Sequence, residues 1–313
     1  MATTQPRIVA PVARYGWIAG LAVLLAAYAT ILARVSFDRQ LLESLWFLPG
    51  VGVLGATVAS TSGTGGGVVF VPVFHILREL RVVALDPIAV TAASFLIQCF
   101  GMSMGAMRWT THVLAMRTTA KSDAPIVRQR DFAAVVAGVV LVAVPVMLFT
   151  QNTARFDPAK VLLWFKAFSI GLGIVLLLTT WTINRALPAR RTLAPIDLLA
   201  VILLAVPGGF LTAYFSVGVG ELVALYLYIR HYPIALSTGT ACAISAISVV
   251  IGAQWHIIHM TVPWEVVVLA APGAMIGGFI AKPLALWLGS LRLKTLDGLW
   301  IVLSSLYLIA LSR

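Results

Sequence analysis

A glycine-rich break decides the fold: Ser62-Gly63-Thr64-Gly65-Gly66-Gly67 interrupts an apolar stretch that runs from 46 to 80. A second apolar stretch, 196–229, is interrupted in a similar way by Gly218-Val219-Gly220. Each stretch is too long for one straight membrane crossing, which takes about 20 residues, and glycine runs end helices. Broken backbone at membrane depth survives only where protein buries it or where it lines a cavity. We therefore predict two broken helical hairpins.

The composition of the chain places these hairpins in a lipid bilayer. Of the 313 residues, 60% are hydrophobic and 11% are charged, whereas soluble domains have about 45–50% apolar and about 25% charged residues. This excess excludes a soluble enzyme, a disordered regulator and a disulfide scaffold. The net charge of +11 is explained by basic loops at the membrane surface, and we expect no nucleic-acid partner.

Further apolar stretches have the length of single crossings; they are 16–34, 87–107, 132–150, 161–182, 234–258, 264–288 and 295–312. The first resembles a signal peptide, but it continues to full spanning length, so we expect a retained helix. The prediction is an all-α polytopic membrane protein.

Two halves of the chain resemble each other. Pro87-Ile88-Ala89-Val90-Thr91 matches Pro233-Ile234-Ala235-Leu236-Ser237, and the same spacing relates Trp109 to Trp255. The interfacial belt of aromatic residues explains both tryptophans. Each half then consists of a broken hairpin followed by three helices. We predict a first repeat at 45–182 and a second at 183–313, preceded by a tail and an extra helix at 1–44.

Basic loops predict the orientation of these repeats. Lys and Arg concentrate in the loops 108–131, 183–196 and 289–294, whereas 256–263 contains neither. Because cytoplasmic loops collect Lys and Arg, we predict a cytoplasmic N-terminus and a periplasmic C-terminus. The two halves are then inverted relative to each other. An inverted repeat with discontinuous helices is a common architecture of secondary transporters.

The breaks are the candidate site for a small anionic substrate. Glycines allow a ligand to approach the backbone, and the helix that follows presents N–H donors and a partial positive charge. The alternative is that small residues only allow close helix packing. The candidate substrate-binding residues are Ser62, Gly63, Thr64, Gly65, Gly66, Gly67, Gly218 and Gly220, together with Ser94, Gln98 and Thr240 on the helices that follow the hairpins.

Charged residues within apolar stretches are further candidates. Glu221 occupies the position that matches Gly66, and a carboxylate at membrane depth suggests function, here as a proton carrier. The alternatives are a structural pair with a lysine or a place at the aqueous mouth. Arg108, Lys166 and Lys282 are candidates for attracting an anion, although long basic side chains near helix ends also reach the interface. We find no metal-ligand cluster, cofactor motif or catalytic constellation, and predict no enzyme, metal or cofactor.

These motifs resemble the sulfite/organosulfonate exporter family (TauE/SafE-like, TSUP) from about residue 46 onward. The resemblance implies a bacterial inner-membrane carrier of sulfite or of a sulfonate such as sulfoacetate, with 63–67 and 218–220 near the substrate. Glu221 and Tyr226 depart from the family pattern, in which glycine and proline are expected there. The predicted function is a secondary transporter that exports a small sulfur-containing anion by alternating access, with proton coupling as a hypothesis. An anion channel and a carrier of small carboxylates are the alternatives.

Overall fold

The computed structural model describes residues 9–80, 82–83, 85–116, 127–153, 158–182, 190 and 192–311. Every regular element within these ranges is an α-helix, which confirms the predicted fold class. The helices are α1 (Val9–Arg34), α2 (Arg39–Ser44), α3 (Leu48–Ser62), α4 (Gly67–Glu79), α5 (Pro87–Met116), α6 (Gln129–Thr153), α7 (Pro158–Thr182), α8 (Pro195–Phe215), α9 (Val219–Ile229), α10 (Ile234–Ile258) and α11 (Trp264–Leu311).

Both predicted helix breaks are present. The first stretch forms α3 and α4, and the second forms α8 and α9. Helices α3, α4 and α9 contain 15, 13 and 11 residues. At about 1.5 Å per residue each is shorter than a hydrocarbon core of about 30 Å. Helix α8, with 21 residues, has the length of a spanning helix, so the two hairpins differ in the length of their first leg.

The exterior of the helical bundle is apolar. Six helices within the described residues are long and apolar enough to cross a membrane. Of these, α5 and α10 are the most buried, whereas α1 lies at the periphery. Large apolar side chains such as Leu141, Trp164 and Trp287 are about three-quarters exposed, each at 74%. An apolar exterior of this kind needs lipid rather than water around it, and the chain is a multi-pass membrane protein.

Small residues bring α11 into backbone contact with α3 and α5. A Cβ on Gly273 would overlap the carbonyl oxygen of Pro49, and one on Gly277 would overlap that of Val53. In the same way, a Cβ on Gly278 would overlap the carbonyl oxygen of Gly101 in α5. Close approach through small residues is a common mode of helix packing in membranes. These contacts with α11 hold α3 in place, and therefore also the first break at its end.

Some elements differ from the prediction. The two predicted helices 264–288 and 295–312 are separated within α11 by a kink at Gly289, where φ is 71°, but the turn predicted over 289–294 is confined to this residue and 290–294 are helical. The short helix α2 was not predicted. It begins where Asp38 Oδ1 accepts the N–H of Gln40 at 2.9 Å. The basic loops lie partly outside the described residues, at 117–126 and 183–189. Orientation and the division into inverted repeats therefore stay predictions.

Candidate functional site

The first break contains two glycines in left-handed backbone conformations. Gly63 ends α3 with a φ of 82°, and its N–H donates to the Ala59 carbonyl at 2.9 Å. Gly65 has a φ of 83°, and only glycine adopts this region without strain. The hydroxyl oxygens of Ser62 and Thr64 lie 2.7 Å apart. The two predicted hydroxyl groups therefore belong to one buried tip.

The second break is built from different residues. Ser216, with a φ of 57°, caps α8, and Gly218 has a φ of 140°. Helix α9 begins at Val219, whose N–H donates to the Thr212 hydroxyl at 3.1 Å. A side chain thereby satisfies one of the N–H donors that have no partner within α9 at the start of this helix.

The two breaks are in direct contact. A Cβ on Gly67 would overlap the carbonyl oxygen of Phe215 and lie 2.7 Å from Val217 Cβ. A Cβ on Gly220 would lie 3.0 Å from the carbonyl oxygen of Gly63. Only residues without a side chain allow backbone to approach this closely. The glycines of both hairpins thus form a single junction, which we call the tip junction (62–67 and 216–220).

Gln98 of α5 joins the two halves of the tip junction. Its Oε1 accepts the N–H of Gly66 at 2.6 Å. The two hydrogens of its Nε2 are shared among three acceptors, the carbonyl and hydroxyl oxygens of Ser216 at 2.9 and 2.6 Å and Ser94 Oγ at 3.0 Å. Both predicted residues of α5 therefore lie at the junction and are fully buried. The Gly66 N–H, a predicted anion donor, is here bound to the Gln98 amide.

We expect Gln98→Leu to lower the stability of the protein. Leucine has a similar size but leaves the Gly66 N–H and the Ser216 carbonyl without this partner, and each buried unsatisfied group costs about 1–3 kcal/mol. Thermal unfolding of the purified protein in detergent measures the effect. Gln254→Leu is the control, because Gln254 lies on an exposed face of α10. Equal melting temperatures for the Gln98 variant and the wild type would show that the bridge contributes nothing to the fold.

A different face of α10 from the one predicted meets the junction. The Thr240 hydroxyl donates to the Leu236 carbonyl of its own helix at 2.6 Å. Thr238 and Ala241 instead adjoin Gly63, and Ser245 adjoins Gly220. Residues 238, 241 and 245 lie three and four apart and so share one helix face. The contact face is thus turned away from Thr240.

Glu221 lies beside the tip junction in the first turn of α9. It is 1% exposed and directly follows Gly220. The start of a helix favours a negative charge at this position.

The basic candidates make other contacts. The Arg108 guanidinium lies 4.3 Å from the ring centre of Phe279 and 5.2 Å from that of Trp17. Lys282, one turn beyond Phe279 on α11, is close enough to Arg108 for their charges to repel. The side chain of Lys166 lies outside the described residues. Arg108 and Lys282 thus form a basic group between α1, α5 and α11.

The prediction that Trp109 lies at the membrane interface is wrong. Its side chain is fully buried, and its Nε1 donates to the Ser60 carbonyl at 2.9 Å. Helix α5 continues to Met116, so Trp109 lies about two turns inside the helix end. It anchors the last turn of α3 immediately before the first break.

Sequence reasoning missed two residues that adjoin the first break. The Tyr228 hydroxyl is hydrogen-bonded to that of Thr238 and lies 3.4 Å from the Ser62 carbonyl. Lys294 Nζ lies 4.3 Å from the centre of the Tyr228 ring. The sequence placed Lys294 in a surface turn, and no spacing pattern linked it to Tyr228.

A buried carboxylate at the base of the second hairpin was also missed. Asp197 is 0% exposed and accepts hydrogen bonds from Tyr226 and Tyr232, both at 2.7 Å. It also pairs with Arg230 at 2.8 Å and Arg190 at 3.2 Å. Burial raises the pKa of Tyr232, so this phenol stays protonated and donates. The cluster ties the start of α8 to the end of α9.

An apolar groove of about 560 Å³ lies between α1, α5 and α10. Its wall includes Ala106, Thr110, Ala246 and Val250. Among the described side chains, no predicted site residue lines it. The tip junction itself is buried.

Comparison with known proteins identifies a family. Residues 48–308 match the protein-family model described as "Sulfite exporter TauE/SafE". No curated protein and no solved structure matches the chain. The match covers both hairpins and the helices between and after them.

Proposed function

Because the chain belongs to the sulfite exporter TauE/SafE family, we propose that it exports sulfite or an organosulfonate such as sulfoacetate across the bacterial inner membrane. The tip junction carries this proposal. Two helix breaks from distant parts of the chain meet there, and the Gln98 amide is bonded to both. Discontinuous helices that meet inside a bundle form the substrate sites of many secondary transporters.

We propose alternating access as the mechanism, with the buried tip junction as its closed state. In the closed state Gly67 packs on the backbone of the second break, and Gln98 and Thr212 occupy N–H donors of the two helix starts. Separating the breaks exchanges these internal bonds for bonds to an anion. A sulfite or sulfonate group offers several oxygen acceptors for such donors. Opening toward one side and then the other moves the anion across the membrane.

Transport in reconstituted vesicles tests the proposal. We would measure uptake of labelled sulfite and sulfoacetate by proteoliposomes, with acetate as the carboxylate competitor and with and without a pH gradient. Saturable flux of a sulfur anion supports the proposal. Flux of acetate alone would indicate a carboxylate carrier, and unitary currents in a planar bilayer would indicate an anion channel. The absence of all flux would contradict the proposed function.

We expect Glu221→Gln to remove the response of flux to a pH gradient. Glutamine keeps the size of the side chain but carries no titratable proton, so a carrier that moves a proton through Glu221 becomes uncoupled. Downhill exchange without a gradient should persist. Glu43→Gln, an exposed residue of α2 paired with Arg39 at 2.9 Å, is the control and should keep the response. A gradient response that survives in the Glu221 variant would remove Glu221 from the coupling mechanism.

A further inference from the structure

Lys294 is a buried cation close to the first break. Its side chain is 5% exposed, and its Nζ lies 4.3 Å from the centre of the Tyr228 ring. The hydroxyl of that ring is bonded to Thr238 and lies 3.4 Å from the carbonyl oxygen of Ser62. Thr238 Oγ1 is also 3.4 Å from the same carbonyl. A short chain of contacts therefore leads from the ammonium group to the end of α3.

Such a position is unfavourable for a lysine on its own. Lysine is almost never fully buried unless it is paired, and a buried charge is costly without a partner. Within the described part of the chain, no carboxylate forms an ion pair with Lys294. Asp197 is already occupied by Arg190 and Arg230. The contact with the Tyr228 ring compensates only part of the lost hydration.

Three helices bring this group together. Tyr228 lies on α9, Thr238 on α10, and Lys294 on α11 just beyond the kink at Gly289. Tyr228 is seven residues, about two turns, after Glu221, so both residues lie on one face of α9. Ala224 on that face packs with Tyr228 against Ala241, which adjoins Gly63. The ammonium and the hydroxyl groups thus lie along the helix face that meets the first break.

We propose that Lys294 binds the transported anion, together with the hydroxyl groups of Tyr228 and Thr238. This inference rests on the function proposed above and deepens it. A sulfite or sulfonate group has a negative charge for the ammonium and several oxygen acceptors for hydroxyl donors. In the closed state the two hydroxyl groups bond to each other and to the Ser62 carbonyl, and rotation of either turns its proton toward an anion. With the predicted orientation, the kink at Gly289 and Lys294 lie on the cytoplasmic side of the membrane, where an exported anion would enter.

Two variants and a matched control test this role. Lys294→Met keeps an apolar stem without the charge, and Lys294→Arg keeps the charge. Arg292→Gln removes an exposed cation two residues away. We would measure the KM for sulfite flux in proteoliposomes. We would also measure thermal stabilisation of the detergent-solubilised protein by sulfite, with chloride at equal ionic strength as the reference.

We expect Lys294→Met to raise the KM for sulfite by about 30-fold or more and to abolish stabilisation by sulfite. Lys294→Arg should retain part of both, and Arg292→Gln should resemble the wild type. In the absence of anion, Lys294→Met should melt at a higher temperature than the wild type, because it removes an uncompensated buried charge. If Lys294 only stabilised the fold, Lys294→Met would melt at a lower temperature than the wild type.

The outcomes separate this inference from the proposed function. Wild-type flux with an unchanged KM in Lys294→Met would overturn the role of Lys294 and leave the transporter intact. If the wild type transports neither sulfur anion, the proposed function fails. Stabilisation by sulfite that depends on Lys294 would then still support an anion site at this position, and its absence would overturn both.

Discussion

Gly67→Ala is expected to reduce sulfur-anion flux strongly while the protein still folds. The added Cβ would overlap the carbonyl oxygen of Phe215 and lie 3.0 Å from that of Ser216. Both atoms belong to backbone, so no side chain can rotate away. Overpacking of this kind costs about 1–3 kcal/mol, which lowers the population of the joined state by about 5- to 150-fold. Flux in proteoliposomes measures the loss.

Gly50→Ala is the matched control for this substitution. Gly50 lies in α3, and a Cβ there meets nothing within 4 Å. Alanine also favours the helical state over glycine by about 1 kcal/mol, so the control should be as stable as the wild type or more so. Wild-type flux in a well-folded Gly67→Ala protein would show that the breaks need not meet during transport.

The helix breaks could be predicted because their causes are local. Runs of glycine end helices wherever they occur, and each of the two apolar stretches is too long for one straight crossing. Gln98 could be predicted for a similar reason, since a polar side chain on an apolar helix needs a partner. The partner itself could not be predicted. Ser216 is more than one hundred residues away along the chain, and only folding brings it to Gln98.

The sequence alone could not show which face of α10 contacts the tip junction. Thr238 and Thr240 are equally polar, and they differ by about 200° around the helix axis. The contacts with Gly63 and Gly220 select Thr238 and Ser245. A list of polar residues in a helix therefore identifies candidates, while helix rotation in the packed bundle decides which of them reach the site.

Lys294 and Trp109 show the limit of interpreting helix ends by composition. A lysine in a short basic segment and a tryptophan near a basic loop are both typical of the membrane interface. Helix α5 extends further than its apolar stretch, and α11 continues directly beyond Gly289. Both extensions move the side chain from the predicted interface into the protein. Both errors arose because the helix boundaries were predicted in the wrong places, and not because the residue types were misinterpreted.

The Asp197 cluster was invisible in the sequence because its members are dispersed. The partners of this carboxylate come from the segment before α8, from α9 and from the turn after α9. Nothing in their spacing distinguishes them from ordinary basic and aromatic residues at a membrane surface. Together they close the open end of the second hairpin, opposite the tip junction. The Asp197 cluster therefore holds α8 and α9 together at the end of the second hairpin that lies opposite its break.

We expect Asp197→Asn to lower the stability of the protein by about 3 kcal/mol. Removal of one partner from a buried charge pair costs about 3–5 kcal/mol. The lower end applies here because the side chains of Arg190 and Arg230 are 41% and 36% exposed and regain some hydration. Thermal unfolding in detergent measures the change.

Asp86→Asn is the control for Asp197→Asn, because Asp86 is an exposed residue whose Oδ1 accepts the N–H of Ala89 at 2.6 Å. Asn and Asp are equivalent at such helix starts, so this control should melt like the wild type. Adding Arg230→Gln to Asp197→Asn should restore part of the stability, since it removes a cation left without its carboxylate. Equal melting temperatures for Asp197→Asn and the wild type would mean that water replaces the carboxylate at no cost and that the hairpin base is held by apolar packing alone.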